Sequence, residues 1–168
     1  SAEQFPYDEG RKLAIALAYP NTYWVGMSNL GLHTLYRALN RHPGIVCERF
    51  FTDHPRSVES GRPLSDFPVI AFSVSYELDW INVVRILMDN KIELTAARRT
   101  GAIVIAGGAA VTMNPEPACR ILDICFLGDG EGAAEMLHEA YASSSSRAEF
   151  FDRLEGRDGI YLPARFNP

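Results

Sequence analysis

The chain has 168 residues, 47% of them hydrophobic and 22% charged, with a formal net charge of -5 at pH 7. That length makes one domain of ordinary size, able to bury roughly two thirds of its unfolded surface. No stretch nears the roughly 20 apolar residues of a membrane span, no charged and apolar leader opens the chain, and the acidic balance lacks the clustered Lys and Arg of a nucleic-acid surface, so a cytoplasmic protein that binds neither membrane nor nucleic acid is expected.

Residues 13–19 form an apolar run ended by Pro20-Asn21 and read as a first strand. Ser28 then offers an N-cap to a helix whose apolar stripe is Leu32, Leu35, Tyr36 and Leu39, closed by His42-Pro43-Gly44. Residues 45–51 read as a second strand. The connection 52–67 holds Pro55, Gly61, Pro63 and few periodic apolar residues, so no full helix is expected in it. Residues 69–74 are apolar throughout, as a strand covered on both faces should be. A helix follows over about 79–90 with Trp80, Val84, Leu87 and Met88 at helical spacing, which makes Trp80 a core residue. Residues 103–106 and 124–127 are the fourth and fifth strands, and 131–141 a helix with Ala133, Met136, Leu137 and Ala140 on one side. Residues 143–146 read as a flexible joint, 148–154 as a short helix with Phe150, Phe151 and Leu154 inward, and 159–168 as a strand leading elsewhere.

Strands alternating with helices imply an α/β fold of the flavodoxin-like (Rossmann-like) type, a doubly wound parallel five-stranded sheet in the order 2-1-3-4-5. Residues 1–142 make that domain, and 143–168 a linker that begins a connection to a further domain. Ser1-Ala2 reads as the remnant of a cleaved tag, and the stop at Phe166-Asn167-Pro168 as an excision from a longer protein.

In such a sheet ligands sit at the carboxyl ends of the strands. Two of these ends, Ala106-Gly107-Gly108 and Gly128-Asp129-Gly130-Glu131, lack bulky side chains and leave bare backbone against which a large flat ligand can lie. Ser73 and Ser75 bring hydroxyls after the third strand and Tyr76 an aromatic face. Asn21, Thr22 and Asn114 add hydrogen-bonding groups; Tyr23, Trp24, Val25 and Met27 add apolar surface that a purely polar phosphate site does not need. Each has a plain structural alternative: the serines can cap the next helix, the aromatics can pack on neighbouring loops, and the glycines can simply turn the chain. If the double glycine approaches a ligand, a valine at Gly108 should block it while leaving the core intact.

Metal and redox chemistry find little support. Cys47, Cys119 and Cys125 have no CxxC or other paired spacing, and His33, His42, His54 and His138 are scattered, so buried free thiols and no protein-built metal site are expected.

The runs Tyr19-Pro20-Asn21-Thr22-Tyr23-Trp24-Val25-Gly26-Met27-Ser28-Asn29-Leu30-Gly31, Glu59-Ser60-Gly61-Arg62-Pro63-Leu64, Phe72-Ser73-Val74-Ser75-Tyr76-Glu77-Leu78, Ile105-Ala106-Gly107-Gly108 with Asn114-Pro115-Glu116-Pro117, and Gly128-Asp129-Gly130-Glu131 resemble the N-terminal cobalamin-binding-type domain of a group of radical S-adenosylmethionine (SAM) proteins. The resemblance covers nearly the whole chain. It implies that Ser73 or Ser75 and Gly107 and Gly108 line a groove for the nucleotide tail of a corrinoid, and that the loops 21–27 and 128–131 cradle the ring. It also implies a downstream radical SAM barrel in the same polypeptide. That barrel would hold the 4Fe-4S cluster and S-adenosylmethionine, since the CxxxCxxC that such a cluster requires is absent here. The implied role is to hold cobalamin over the barrel's active site.

The chain departs from the wider corrinoid-binding family in two places. No DxHxxG follows the first strand, and Asp53-His54 lies after the second with the wrong spacing, so cobalt should carry no histidine from this domain. The stretch between Phe51 and Glu59 is also shorter than the family's helical segment. Other ligands of this fold fit worse. Gly128-Asp129-Gly130-Glu131-Gly132-Ala133 satisfies GxGxxA, but no second βαβ unit follows it, and its two acids would face a pyrophosphate. A phospho-receiver lacks its acidic pair, Asp and Lys, and Asn21-Thr22-Tyr23-Trp24 makes a poor flavin phosphate loop. The rival from another class is a degenerate Rossmann-like domain that binds no cofactor and only packs on the barrel or on a partner.

Overall fold

The computed structural model describes residues 12–130 and 132–166. The strands are β1 (Leu13–Ala18), β2 (Ile45–Phe50), β3 (Val69–Ser73), β4 (Ile103–Gly107), β5 (Ile124–Phe126) and β6 (Ile160–Tyr161). The helices are α1 (Tyr23–Met27), α2 (Leu30–Arg41), α3 (Trp80–Asp89), α4 (Ala109–Met113), α5 (Ala133–Ala142), α6 (Arg147–Leu154) and α7 (Pro163–Phe166). None of these helices is long and apolar enough to cross a membrane.

The strands form one sheet in the order β2-β1-β3-β4-β5-β6, parallel except for β6. The expectation of five strands is therefore corrected to six. The added strand sets Phe126 against Ile160 and Cys125 against Tyr161, and the Leu127 amide donates to the Gly159 carbonyl at 2.7 Å. The strand expected over 159–168 is thus only two residues long and returns to this sheet rather than leading elsewhere, with α7 following it.

Both faces are covered. Leu13, Ile15 and Leu17 of β1 point with Val69, Ile103 and Ile124 into one cluster with Leu32 and Leu39 of α2, Leu137 of α5, and Phe150 and Leu154 of α6. Ala14, Ala16 and Ala18 point the other way, with Ile70, Val104, Val83, Leu87 and Val111. The period of two along a strand sorts them. On α3 the buried residues are Val83, Ile86 and Leu87, whereas Met88 is exposed and Trp80 half-buried, so the inward face is turned from the stripe read in the sequence. The connection from β2 to β3 contains no α-helix. It is held by the isolated bridges Phe51–His54 and Arg56–Pro63 and by a turn of 3-10 helix at Leu64–Asp66.

At the opposite end from the site, Asp123 ties the sheet together. Its carboxylate accepts from Arg99 at 2.5 Å, from Arg147 at 2.8 Å and from the Val104 amide at 2.8 Å. Arg99 and Asp123 are both buried, which is tolerable because every charge there is paired.

Candidate functional site

Along the α2/α5 side of the sheet the inward residues shrink toward the carboxyl edge: Val69, Ala71 and Ser73 on β3, Ile103, Ile105 and Gly107 on β4. Ser73 and Gly107 are register partners. On α2, Gly31, Thr34 and Ala38 recur at three- and four-residue spacing on the facing side, and Ala133 opens α5. Small residues on floor and walls leave a cleft of about 740 Å³ between α2 and α5 over the ends of β3, β4 and β5. Phe126 closes part of the floor, while Thr112, Met113 and the stretch 128–130 form its mouth.

The double glycine does two separate jobs. Gly107 continues β4, and a Cβ on it would stand 3.3 Å from the Phe126 Cβ, so its bareness widens the floor. Gly108 has φ +110, and a Cβ there would stand 2.5 Å from the Val74 carbonyl oxygen. Only glycine lets the chain turn from β4 into α4 so close to the end of β3. The expectation that valine at Gly108 leaves the core intact is thus corrected. Gly128, Gly130 and Gly132 all have positive φ with open space around them, making the loop after β5 a chain of left-handed turns beside the cleft.

Few polar groups face this cleft. No Lys, Arg or His lines it among the described residues. The Thr34 hydroxyl donates to the Leu30 carbonyl at 3.0 Å, and the Thr112 hydroxyl accepts from the Gly128 amide at 3.1 Å. Among the described residues the Ser73 hydroxyl has no such partner.

Of the residues singled out in the sequence, Ser73, Gly107, Gly108, Gly128, Asp129 and Gly130 line the cleft together. Glu131 lies outside the described residues. The others stand along the same sheet edge but outside the cleft. Thr22 caps α1, its hydroxyl accepting from the Val25 amide, and the Asn21 side chain accepts from the Thr22 amide. The Tyr23 amide donates to Asp53 at 2.7 Å, and its ring packs on Phe51 and His54. Burial pushes the Asp53 carboxyl up, but hydrogen bonds from the Tyr23 amide and His54 outweigh it and hold the group below its ordinary value. Met27 receives Arg49 on its sulfur, while its carbonyl meets the His33 ring. The cap of α2 is Asn29 rather than Ser28, because α1 occupies the residues before it and Ser28 ends that turn. Asn29 accepts from the Leu32 amide and reaches the Tyr19 hydroxyl at 3.3 Å and Ser75 at 3.4 Å. Ser75 is thereby a strut between loops. The Asn114 side chain accepts from the Glu116 amide and shapes a turn.

The α2 wall was missed in the sequence. Its signal was the row Gly31, Thr34 and Ala38, overshadowed by the larger stripe on the same helix.

The same sheet edge carries exposed apolar side chains. Trp24 is 81% exposed, Leu30 78%, Tyr76 65%, Leu78 80% and Met113 83%, all following the carboxyl ends of β1, β3 or β4. Asp79, just before α3, is buried with Oδ1 3.5 Å from the side-chain Nδ2 of Asn21 and, among the described residues, Oδ2 without a partner, and burial pushes its carboxyl up. Burial likewise raises the thiols, Cys125 to about 12, which leaves them protonated and poor ligands. Among the described residues no group of three His, Cys, Asp or Glu stands ready to hold a metal ion.

Residues 31–163 match the family described as "Radical SAM proteins, N-terminal". The chain belongs to this family. As a radical SAM N-terminal domain it is also similar to the uncharacterized protein MJ0966 of Methanocaldococcus jannaschii, with 28% identity over 123 residues that cover 73% of this chain and 25% of that protein. The chain thus spans about a quarter of the length of this curated relative. No solved structure matches it. The matched stretch of the radical SAM N-terminal domain runs from the α2 wall to the start of α7, so it takes in the whole cleft except Ile15 and Leu30.

Proposed function

We propose that this domain holds a corrinoid, cobalamin, at the carboxyl edge of its sheet, with the nucleotide tail in the cleft and no histidine of the domain on cobalt, and that a downstream radical SAM barrel of the same polypeptide, carrying a 4Fe-4S cluster and S-adenosylmethionine, covers the other face. The observation that carries the reading is the tapered cleft at the ends of β3, β4 and β5, free of Lys, Arg and His among the described residues. Its residues fit an elongated, mostly apolar group, and the missing side chain at Gly107 lets that group approach the backbone. A cleft with no Lys or Arg is ill suited to a nucleotide di- or triphosphate.

When bound, a corrinoid supplies a cobalt centre that can carry a methyl group or an electron. The chain's own part is to bind and orient it. The small residues of β3, β4 and α2 admit the tail, and Trp24, Tyr76 and Met113 offer exposed apolar surface at the same sheet edge, from which water is displaced. Neither His33, which meets the Met27 carbonyl at 2.9 Å, nor His54, stacked on Tyr23, lines the cleft.

Because one open sheet edge covers one face of a flat ring, the domain alone should bind weakly. Reconstitution of the full-length protein with hydroxocobalamin, followed by gel filtration and an absorbance spectrum, tests the reading. Retained corrin absorbance is expected, with weaker binding by the 168-residue chain titrated alongside. A second reading, a domain that only packs on its barrel, is favoured by the same exposed apolar groups. It prevails if the full-length protein retains no corrin.

A further inference from the structure

Resting on the corrinoid reading, we propose that the cleft also selects the ligand's lower base, taking a benzimidazole and discriminating against a purine. The argument is a count of polar groups. Of the three hydroxyls in the lining among the described residues, Thr34 gives its proton to the Leu30 carbonyl, while Thr112, which accepts from the Gly128 amide, and Ser73 on the floor each keep a proton to donate. On the floor the Gly107 carbonyl is engaged as well, accepting from the Val74 amide at 2.8 Å. Asp129 is exposed on the loop beyond β5, outside the apolar interior.

A benzimidazole joined to its ribose has one ring nitrogen left, which one hydroxyl can satisfy. An adenine in the same place has three ring nitrogens and an amino group, more acceptors than the two hydroxyl donors left in the lining among the described residues can meet. A polar group buried without a partner costs about 1–3 kcal/mol, so purine-tailed corrinoids should bind about 10- to 100-fold more weakly. Ala38 is the control position. It is exposed on α2 yet lines the cleft, so a larger side chain there fills the tail's path without removing core contacts.

The test is a titration of the full-length protein, followed by corrin absorbance, with hydroxocobalamin, its adenine-based analogue and tailless cobinamide. Hydroxocobalamin should bind tightest and the adenine analogue about 10- to 100-fold more weakly. Ala38→Phe should weaken hydroxocobalamin by at least about tenfold while leaving cobinamide unchanged, with melting temperature as the check on folding. Equal affinity for the two bases overturns base selection, and the wild-type series decides this whatever becomes of the variant. Equal affinity for hydroxocobalamin and cobinamide, or a folded Ala38→Phe that binds hydroxocobalamin normally, shows that the tail does not use the cleft; either overturns the inference and leaves corrinoid binding standing. Failure of all three ligands removes the corrinoid reading and the inference together.

Discussion

Gly108 and Gly107 are adjacent in sequence, and the structure separates their roles sharply enough to test. Gly108 sits at φ +110 and ψ -178, a region open essentially to glycine alone, and holding another residue there costs about 1–3 kcal/mol. An alanine Cβ would also stand 2.5 Å from the Val74 carbonyl oxygen and 3.1 Å from that residue's carbon and nitrogen. That backbone cannot yield cheaply, because the Val74 carbonyl accepts from the Ala110 amide and the Val74 amide donates to the Gly107 carbonyl. Losing one of these bonds adds about 1–3 kcal/mol, for a total of about 2–6 kcal/mol. In a domain of this size each kcal/mol lowers the melting temperature by about 2–4 °C, so Gly108→Ala should melt roughly 4–24 °C below wild type. Gly107→Ala, with ordinary strand geometry and a Cβ 3.3 Å from that of Phe126, should stay within about 1 kcal/mol while narrowing the cleft floor. Thermal melts followed by circular dichroism compare the two. If Gly108→Ala melts within about 2 °C of wild type, the close approach of the chain after β4 to the end of β3 is wrong.

Asp123→Ala leaves the buried Arg99 guanidinium without its carboxylate and should cost about 3–5 kcal/mol in urea denaturation, whereas Arg147→Ala, at the more exposed side of the same carboxylate, should cost less than about 1 kcal/mol; equal effects would contradict the pairing. Asp79→Asn probes the buried carboxyl: since its folded value is raised, ionised Asp79 costs stability above that value, and the cost fades as pH falls through it. The variant should therefore be more stable than wild type by about 1 kcal/mol at pH 7 and equal near pH 3, and a variant less stable at pH 7 would mean that Oδ2 has a partner. Asn29→Ala removes the α2 cap together with its links to Tyr19 and Ser75 and should cost about 1–2 kcal/mol. Ser75→Ala should cost less than half of that, and a larger loss from Ser75 than from Asn29 would reverse the assignment.

Much of this protein was legible before folding. Apolar runs at 13–19, 45–51, 69–74, 103–106 and 124–127 had to be strands and the segments between them mostly helices, because each periodicity can bury its apolar atoms in only one way. The bare strand ends at Gly107-Gly108 and Gly128-Asp129-Gly130 were equally plain, since glycine is visible as a residue type. What sequence spacing could not convey is which neighbours those residues meet across the sheet. The contact that makes Gly108 indispensable is with Val74, just past the end of another strand, and the strut from Asn29 to Ser75 joins loops 46 residues apart. The α2 wall drew no attention because Gly31, Thr34 and Ala38 are unremarkable on an isolated helix; they become a wall only when α2 lies over Ala71, Ser73 and Gly107. The strand read over 159–168 was sent elsewhere for a related reason, as only Ile160 and Tyr161 hold a place in the sheet, through the hydrogen bonds that β5 offers them. Chain-local chemistry determined the elements and the edge that carries the site, while the shape of the cleft was decided by tertiary packing, because a cavity is a relation between side chains that are far apart in sequence.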